Sequence, residues 1–115
     1  MDRKARLFVT DMLAYAREVM SFVEGRSEDD LESDNQFRFA VIYGIQTLGE
    51  AAKNVPKDIR DLAPGIPWRE ISKTRDIIVH HYFGVRFDVV WRVAQVELPK
   101  LIPLLEELLA LDDDA

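Results

Sequence analysis

From position 75 the chain reads Arg-Asp-Ile-Ile-Val-His-His-Tyr. An arginine, an acid, a phenol and both of the chain's 2 histidines thus fall within about two helical turns. A histidine moves a proton near neutral pH. A guanidinium stabilises charge that develops on phosphoryl oxygens. With no metal site required, Arg75 and His80 suit phosphodiester cleavage, and RNA can supply its own 2′-hydroxyl as nucleophile, so the protein need not provide one. Asp76 lies four residues before His80, where it can hold the imidazole in one tautomer and support its protonated form. His81 offers a second imidazole, so either histidine is a candidate for the proton transfer.

Helical geometry constrains how these groups meet. Trp68, Ile71, Arg75, Ile78 and Tyr82 alternate at three- and four-residue spacing, the signature of a helix seam. A guanidinium at the centre of such a seam is costly without a partner or a task. Arg75 and Tyr82 share a face, whereas Arg75 and His80 point about 140° apart on a straight helix. Either the helix ends near Val79 and the chain turns, or the groups meet across a two-fold interface. The seam favours the second arrangement, a homodimer with two copies of each group in one cleft. Each residue also has a purely structural reading. Arg75 pairs with Glu50, His80 sits half-buried at a helix end, Tyr82 is a stripe aromatic with its hydroxyl at the rim, and Asp76 and His81 are solvated. Trp68 and Trp91 read as core. Taken singly these readings win; the concentration of all five polar groups on one short segment shifts the balance towards chemistry.

The elements that must position the segment are all helical. A first helix from about Arg3 to Glu24 carries Phe8, Met12, Tyr15, Val19 and Phe22 on one face and stops at Gly25. Arg26 to Ser33 is acidic and polar and reads as a loop or frayed turn. Ser33, with Gln36 three residues later, reads as the capping box of a second helix that runs to about Asn54. Its apolar face is Phe37, Val41, Ile45, Leu48 and Ala52, and Ala40 with Gly44 permits a close helix approach. Pro56 ends it. The stretch to Pro67 holds three prolines and a glycine, which is loop chemistry with room for a short turn at Ile59–Leu62. Pro67 opens a third helix, which Gly84 ends. A fourth begins near Phe87 and passes through Trp91, Ala94, Leu98, Leu101, Leu105 and Leu108. Pro99 and Pro103 lie inside that pattern, predicting a kink or break near residues 96–100. The expected fold is an all-α up-down bundle of about four helices, homodimeric, as one domain over residues 1–111 with an acidic tail at 112–115.

Composition narrows the function classes. A chain of 115 residues with 48% hydrophobic content forms one folded domain. There is no cysteine, which removes disulfides, thiolate chemistry and cysteine zinc sites. No apolar run approaches the roughly 20 residues that span a bilayer, and the N-terminus does not read as a signal peptide, so the expectation is a cytoplasmic protein. A net charge of −6 argues against broad, non-specific nucleic-acid binding. The charge is uneven, however. Eight bases and five acids between Lys53 and Arg92 leave that window at +3 and the flanks at −9.

Arg75-(four residues)-His80-His81-Tyr82 matches the R-x4-H-x-Y motif, and the chain resembles the HepT-like toxins of the all-helical HEPN superfamily. Ile45-Gln46-Thr47-Leu48-Gly49-Glu50-Ala51-Ala52-Lys53 resembles that family's second-helix Gly-Glu-Ala stretch. Ile66-Pro67-Trp68 is similar to its lead-in to the motif helix. Tyr82-Phe83-Gly84-Val85, Trp91 and Leu98-Pro99-Lys100-Leu101 resemble its C-terminal portion. One departure is Arg86, where the family often has an acid; the next acid here is Asp88.

The resemblance implies a metal-independent endoribonuclease, acting as a homodimer with its site between protomers and needing no cofactor. Arg75 and His80 would be its catalytic pair, assisted by Asp76 and His81, with Glu50 as a possible partner of Arg75. It also implies a nucleotidyltransferase antitoxin that uses ATP to transfer AMP to Tyr82. Adenylate at that position would set negative charge and bulk where an RNA phosphate binds. The competing expectation is a non-catalytic helical module that binds a nucleotidyltransferase or a nucleotide, with Arg75 as an anion ligand.

Overall fold

A computed structural model describes residues 1–80 and 86–113, without the side chains of residues 78–80 and 112–113. The described residues form helices and no strand, in the order α1 (Arg3–Val23), α2 (Glu28–Ser33), α3 (Asn35–Asn54), α4 (Lys57–Arg60), α5 (Trp68–His80), α6 (Phe87–Arg92), a π-helical segment (Val93–Glu97) and α7 (Leu98–Asp113). The all-α bundle expected from the sequence is present, with four long helical runs and two short helices added between them.

Each start and stop has a local cause. Asp2 caps α1 by accepting the Ala5 N–H at 2.7 Å. Gly25 follows α1 at φ +73°, a backbone conformation that costs glycine little. The acidic stretch read as loop instead forms α2. Ser27 and Asp30 make a reciprocal capping box there, and the acids Glu28, Asp29 and Asp30 occupy its first turn, where the helix dipole favours them. The cap of α3 is Asp34, not Ser33. Ser33 closes α2, and the Asp34 carboxylate accepts the Phe37 N–H at 3.1 Å. Arg26 fastens this corner. It donates to Asp30 at 3.1 Å and to Asp34 at 2.8 Å, and its guanidinium lies 4.1 Å from the centroid of the Phe37 ring.

The core lies where the apolar stripes of the long helices meet. Val9, Met12 and Val19 of α1, Val41 of α3, and Leu105 and Leu108 of α7 are almost wholly removed from water. All five residues of the expected α3 stripe are buried. The expected α1 stripe holds for Met12 and Val19, which are buried, and for Phe8 and Tyr15, which pack against the core; Phe22 is exposed, and Ala5, Val9, Leu13 and Ala16 widen the buried face. Helix α1 packs chiefly on α3 and α7, and α5 packs chiefly on α3. Gly44 lets the first of these pairs close up, since a Cβ there would collide with Val19 Cγ2.

The interruption expected in the last helix is a wide turn. Over Val93–Glu97 the backbone is π-helical, and the Leu98 N–H bonds to the Val93 carbonyl, five residues back. Pro99 follows directly. It has no N–H to extend an α-helical ladder, and its ring would clash with the preceding turn.

Candidate active site

Helix α5 begins on a fixed anchor. The Trp68 indole N–H donates to the Ala63 carbonyl at 3.0 Å, and the ring is 9% exposed. Pro67 stands just outside the helix as its capping position, and its carbonyl accepts the Ile71 N–H at 3.0 Å. Ile71, one turn on, packs against the core. The next position on that seam is Arg75.

What lies beneath Arg75 is Gly49. A Cβ at residue 49 would collide with Arg75 Cβ and stand 3.0 Å from its Cγ and 3.3 Å from the Ile71 carbonyl oxygen. The missing side chain therefore lets α5 seat directly on α3, with the Arg75 stem laid against the Gly49 backbone. The guanidinium emerges at the rim of this contact with its side chain 24% exposed.

Four charged groups meet at that rim. Arg75 Nη2 lies 2.9 Å from Glu50 Oε2, and Arg75 Nη1 lies 3.3 Å from Asp76 Oδ1. The same Asp76 oxygen lies 2.5 Å from Lys53 Nζ. The Lys53 ammonium holds the Asp76 carboxyl below the usual carboxylate range; burial opposes it, and the Arg75 guanidinium adds a smaller lowering. Arg75 Nε is buried and has no hydrogen-bond partner among the described residues. The result is an arginine oriented by packing from below and by carboxylates from the side. Its side chain is only partly covered, so an anion that reaches it competes with those carboxylates.

The remaining motif residues stand differently. His80 is the last residue of α5, and its side chain lies outside the described residues. His81 and Tyr82 lie outside them altogether, as does the expected stop at Gly84. Arg86 caps α6 and pairs with Asp88 at 2.6 Å, both side chains exposed. Lys53 escaped the sequence reading. The signal was its spacing: three residues after Glu50, it shares that residue's face of α3.

A separate groove of about 600 Å³ opens between α3, α5 and the last helical run, walled by Ile45, Leu48, Ile71, Val93 and Leu101. Arg75 does not line it; its walls are mostly apolar, with Glu70, Arg92, Glu97 and Lys100 also among the lining residues. Exposed apolar groups lie elsewhere on the surface as well, among them Phe39 and Tyr43 on α3 and Ile77 on α5. No group of three or more metal-ligating side chains occurs among the described residues, and no helix among them is long and apolar enough to cross a membrane.

An all-helical bundle that presents a packed, acid-flanked arginine on the rim of its fifth helix defines the class. Residues 12–108 match the family described as "Ribonuclease HepT-like", and the chain belongs to that family. Among its relatives is "Probable ribonuclease HepT" of Thermococcus cleftensis, 34% identical over 108 residues, covering 94% of this chain and 98% of the relative. "Putative RNase MJ0125" of Methanocaldococcus jannaschii is 34% identical over 99 residues, covering 86% of this chain and 85% of its own. "Putative RNase TTE0752" of Caldanaerobacter subterraneus is 32% identical over 104 residues, covering 90% and 93%. No solved structure is similar enough to match.

Proposed function

We propose that this member of the ribonuclease family is a toxin that cleaves RNA without a metal ion, through Arg75 and His80. The observation that carries the reading is the seating of Arg75. Gly49 seats its stem, Glu50 and Asp76 hold its two terminal nitrogens, and the side chain stays partly exposed. In the proposed reaction the RNA 2′-oxygen attacks phosphorus and the bond to the 5′-oxygen breaks. A 2′,3′-cyclic phosphate and a 5′-hydroxyl result. An imidazole, from His80 or His81, takes the 2′-hydroxyl proton, and the departing 5′-oxygen gains one. Arg75 stabilises charge on the non-bridging oxygens. Asp76 assists from the same helix.

The proposed active form is a homodimer with Arg75, His80 and Tyr82 of both protomers facing one cleft. Exposed Phe39 and Tyr43, on the α3 face that also carries Glu50, support association near the site, since side chains of this size gain by leaving water. The proposed regulator is a nucleotidyltransferase antitoxin that transfers AMP from ATP to Tyr82; the protein itself uses no cofactor. One observation favours a second reading. Arg75 is held by two carboxylates rather than left open over a scissile phosphate, which suits a non-catalytic module for a nucleotidyltransferase or nucleotide better than a nuclease.

The test is cleavage of a mixed cellular RNA pool in excess EDTA by protein purified without a partner, beside His80→Ala and His81→Ala. Cleavage that persists in EDTA and disappears in one histidine variant supports the nuclease reading and identifies the proton carrier. No cleavage by folded wild-type protein favours the binding module.

A further inference from the structure

Resting on the ribonuclease reading, we infer that Lys53 is a positioning residue that keeps Arg75 available to an RNA phosphate by neutralising Asp76. The argument starts from the charges at the rim. Glu50 and Asp76 both contact the one guanidinium, at 2.9 and 3.3 Å. Arg75 with these two carboxylates sums to one negative charge. An RNA phosphate approaching that trio meets net repulsion, and its oxygens compete with two carboxylates for the same N–H groups. Lys53 changes the balance. Its ammonium takes the Asp76 oxygen that Arg75 also contacts, and takes it at the shorter distance, 2.5 Å. The four groups then sum to zero, and the weaker of the two Arg75 contacts is the one to Asp76.

Placement of Lys53 follows from the same close approach that seats Arg75. It stands one helical turn after Gly49, on the edge of α3 nearest Asp76. Both cations share one carboxylate oxygen, so their nitrogens lie within about 6 Å of each other. Stapling α3 to α5 is a poor account of this lysine. The pair is about two-fifths exposed on both sides, and exposed ion pairs add little to stability. Its larger effect is on what the neighbouring guanidinium can bind.

The test measures binding of a single-stranded RNA oligonucleotide in EDTA as a function of salt, in a background carrying both His80→Ala and His81→Ala so that neither imidazole supports cleavage. Lys53→Gln is expected to weaken binding about tenfold at low salt, with Lys53→Arg close to the parent. The deciding variant is Lys53→Gln combined with Asp76→Asn. Removing the acid removes the need for the lysine, so binding returns to within about threefold of the parent. A double variant that binds no better than Lys53→Gln alone overturns the inference, as does unchanged binding by Lys53→Gln. If the parent itself binds no RNA, the ribonuclease reading fails and takes the inference with it.

Discussion

Replacing Gly49 by alanine should unseat the helix that carries Arg75. The added methyl would overlap Arg75 Cβ and sit 3.0 Å from Cγ and 3.3 Å from the Ile71 carbonyl oxygen. Two of these obstacles cannot swing aside: the Cβ is fixed by its backbone, and the oxygen is backbone itself. Relief requires α5 to move off α3. Overpacking of this kind costs about 1–3 kcal/mol. Alanine returns roughly 0.5–1 kcal/mol of that through its better helix propensity. A net loss on the order of 1–2 kcal/mol corresponds to a fall in melting temperature of roughly 4–10 °C for a domain of this size. RNA cleavage should fall further, since a shift of about 1 Å in a catalytic group costs on the order of a hundredfold. Gly65→Ala is the control. It has open space around it and no positive φ, so its melting temperature should hold or rise slightly. Circular dichroism melting of both variants decides the matter. If Gly49→Ala melts with Gly65→Ala and retains cleavage, α5 is not held on α3 in the way described.

The depressed carboxyl of Asp76 gives a pH dependence with a defined sign. Its charged form is favoured in the folded protein, so its contribution is present above the ordinary value of 3.8 and is lost as pH falls through the lower folded value. Urea midpoints at pH 7 and pH 3 should therefore differ more for wild type than for Asp76→Asn; equal differences would place Asp76 outside any folded-state pairing. Trp68→Phe removes the donor to the Ala63 carbonyl at the start of α5. It should lower stability by about 1 kcal/mol, read as a lower urea midpoint. An unchanged midpoint would mean that this hydrogen bond contributes nothing to the anchor.

The long helices were legible because their signals are local. The α3 stripe of Phe37, Val41, Ile45, Leu48 and Ala52 repeats at helical spacing and is buried throughout. Pro99 marked the place where the last helix departs from α geometry. Helix α2 was not legible, because a six-residue acidic segment has almost no apolar period; its capping box and the Arg26 clasp do the ordering. The same two carboxylates explain the displaced cap. Asp34 is held by Arg26, which leaves it, rather than Ser33, turned towards the Phe37 N–H. At the site, Glu50 was nameable as a partner of Arg75 from its charge and helix. Lys53 was not, because its contact with Asp76 depends on the register of α5 against α3. That register is fixed by Gly49, whose role shows only when both helices are in place.

Helix α5 leans chiefly on one neighbour, while α1 is gripped by both α3 and α7. Cooperative stability therefore concentrates in α1, α3 and α7, and the helix bearing Arg75 sits at the shallow end of the opening hierarchy. Its amide protons would exchange with solvent through a partial opening that leaves the other three helices protected. A second protomer or an RNA strand pressed against that face would slow the exchange in α5 alone. Ligand binding and the ordering of one helix would thus be read in a single kinetic signal.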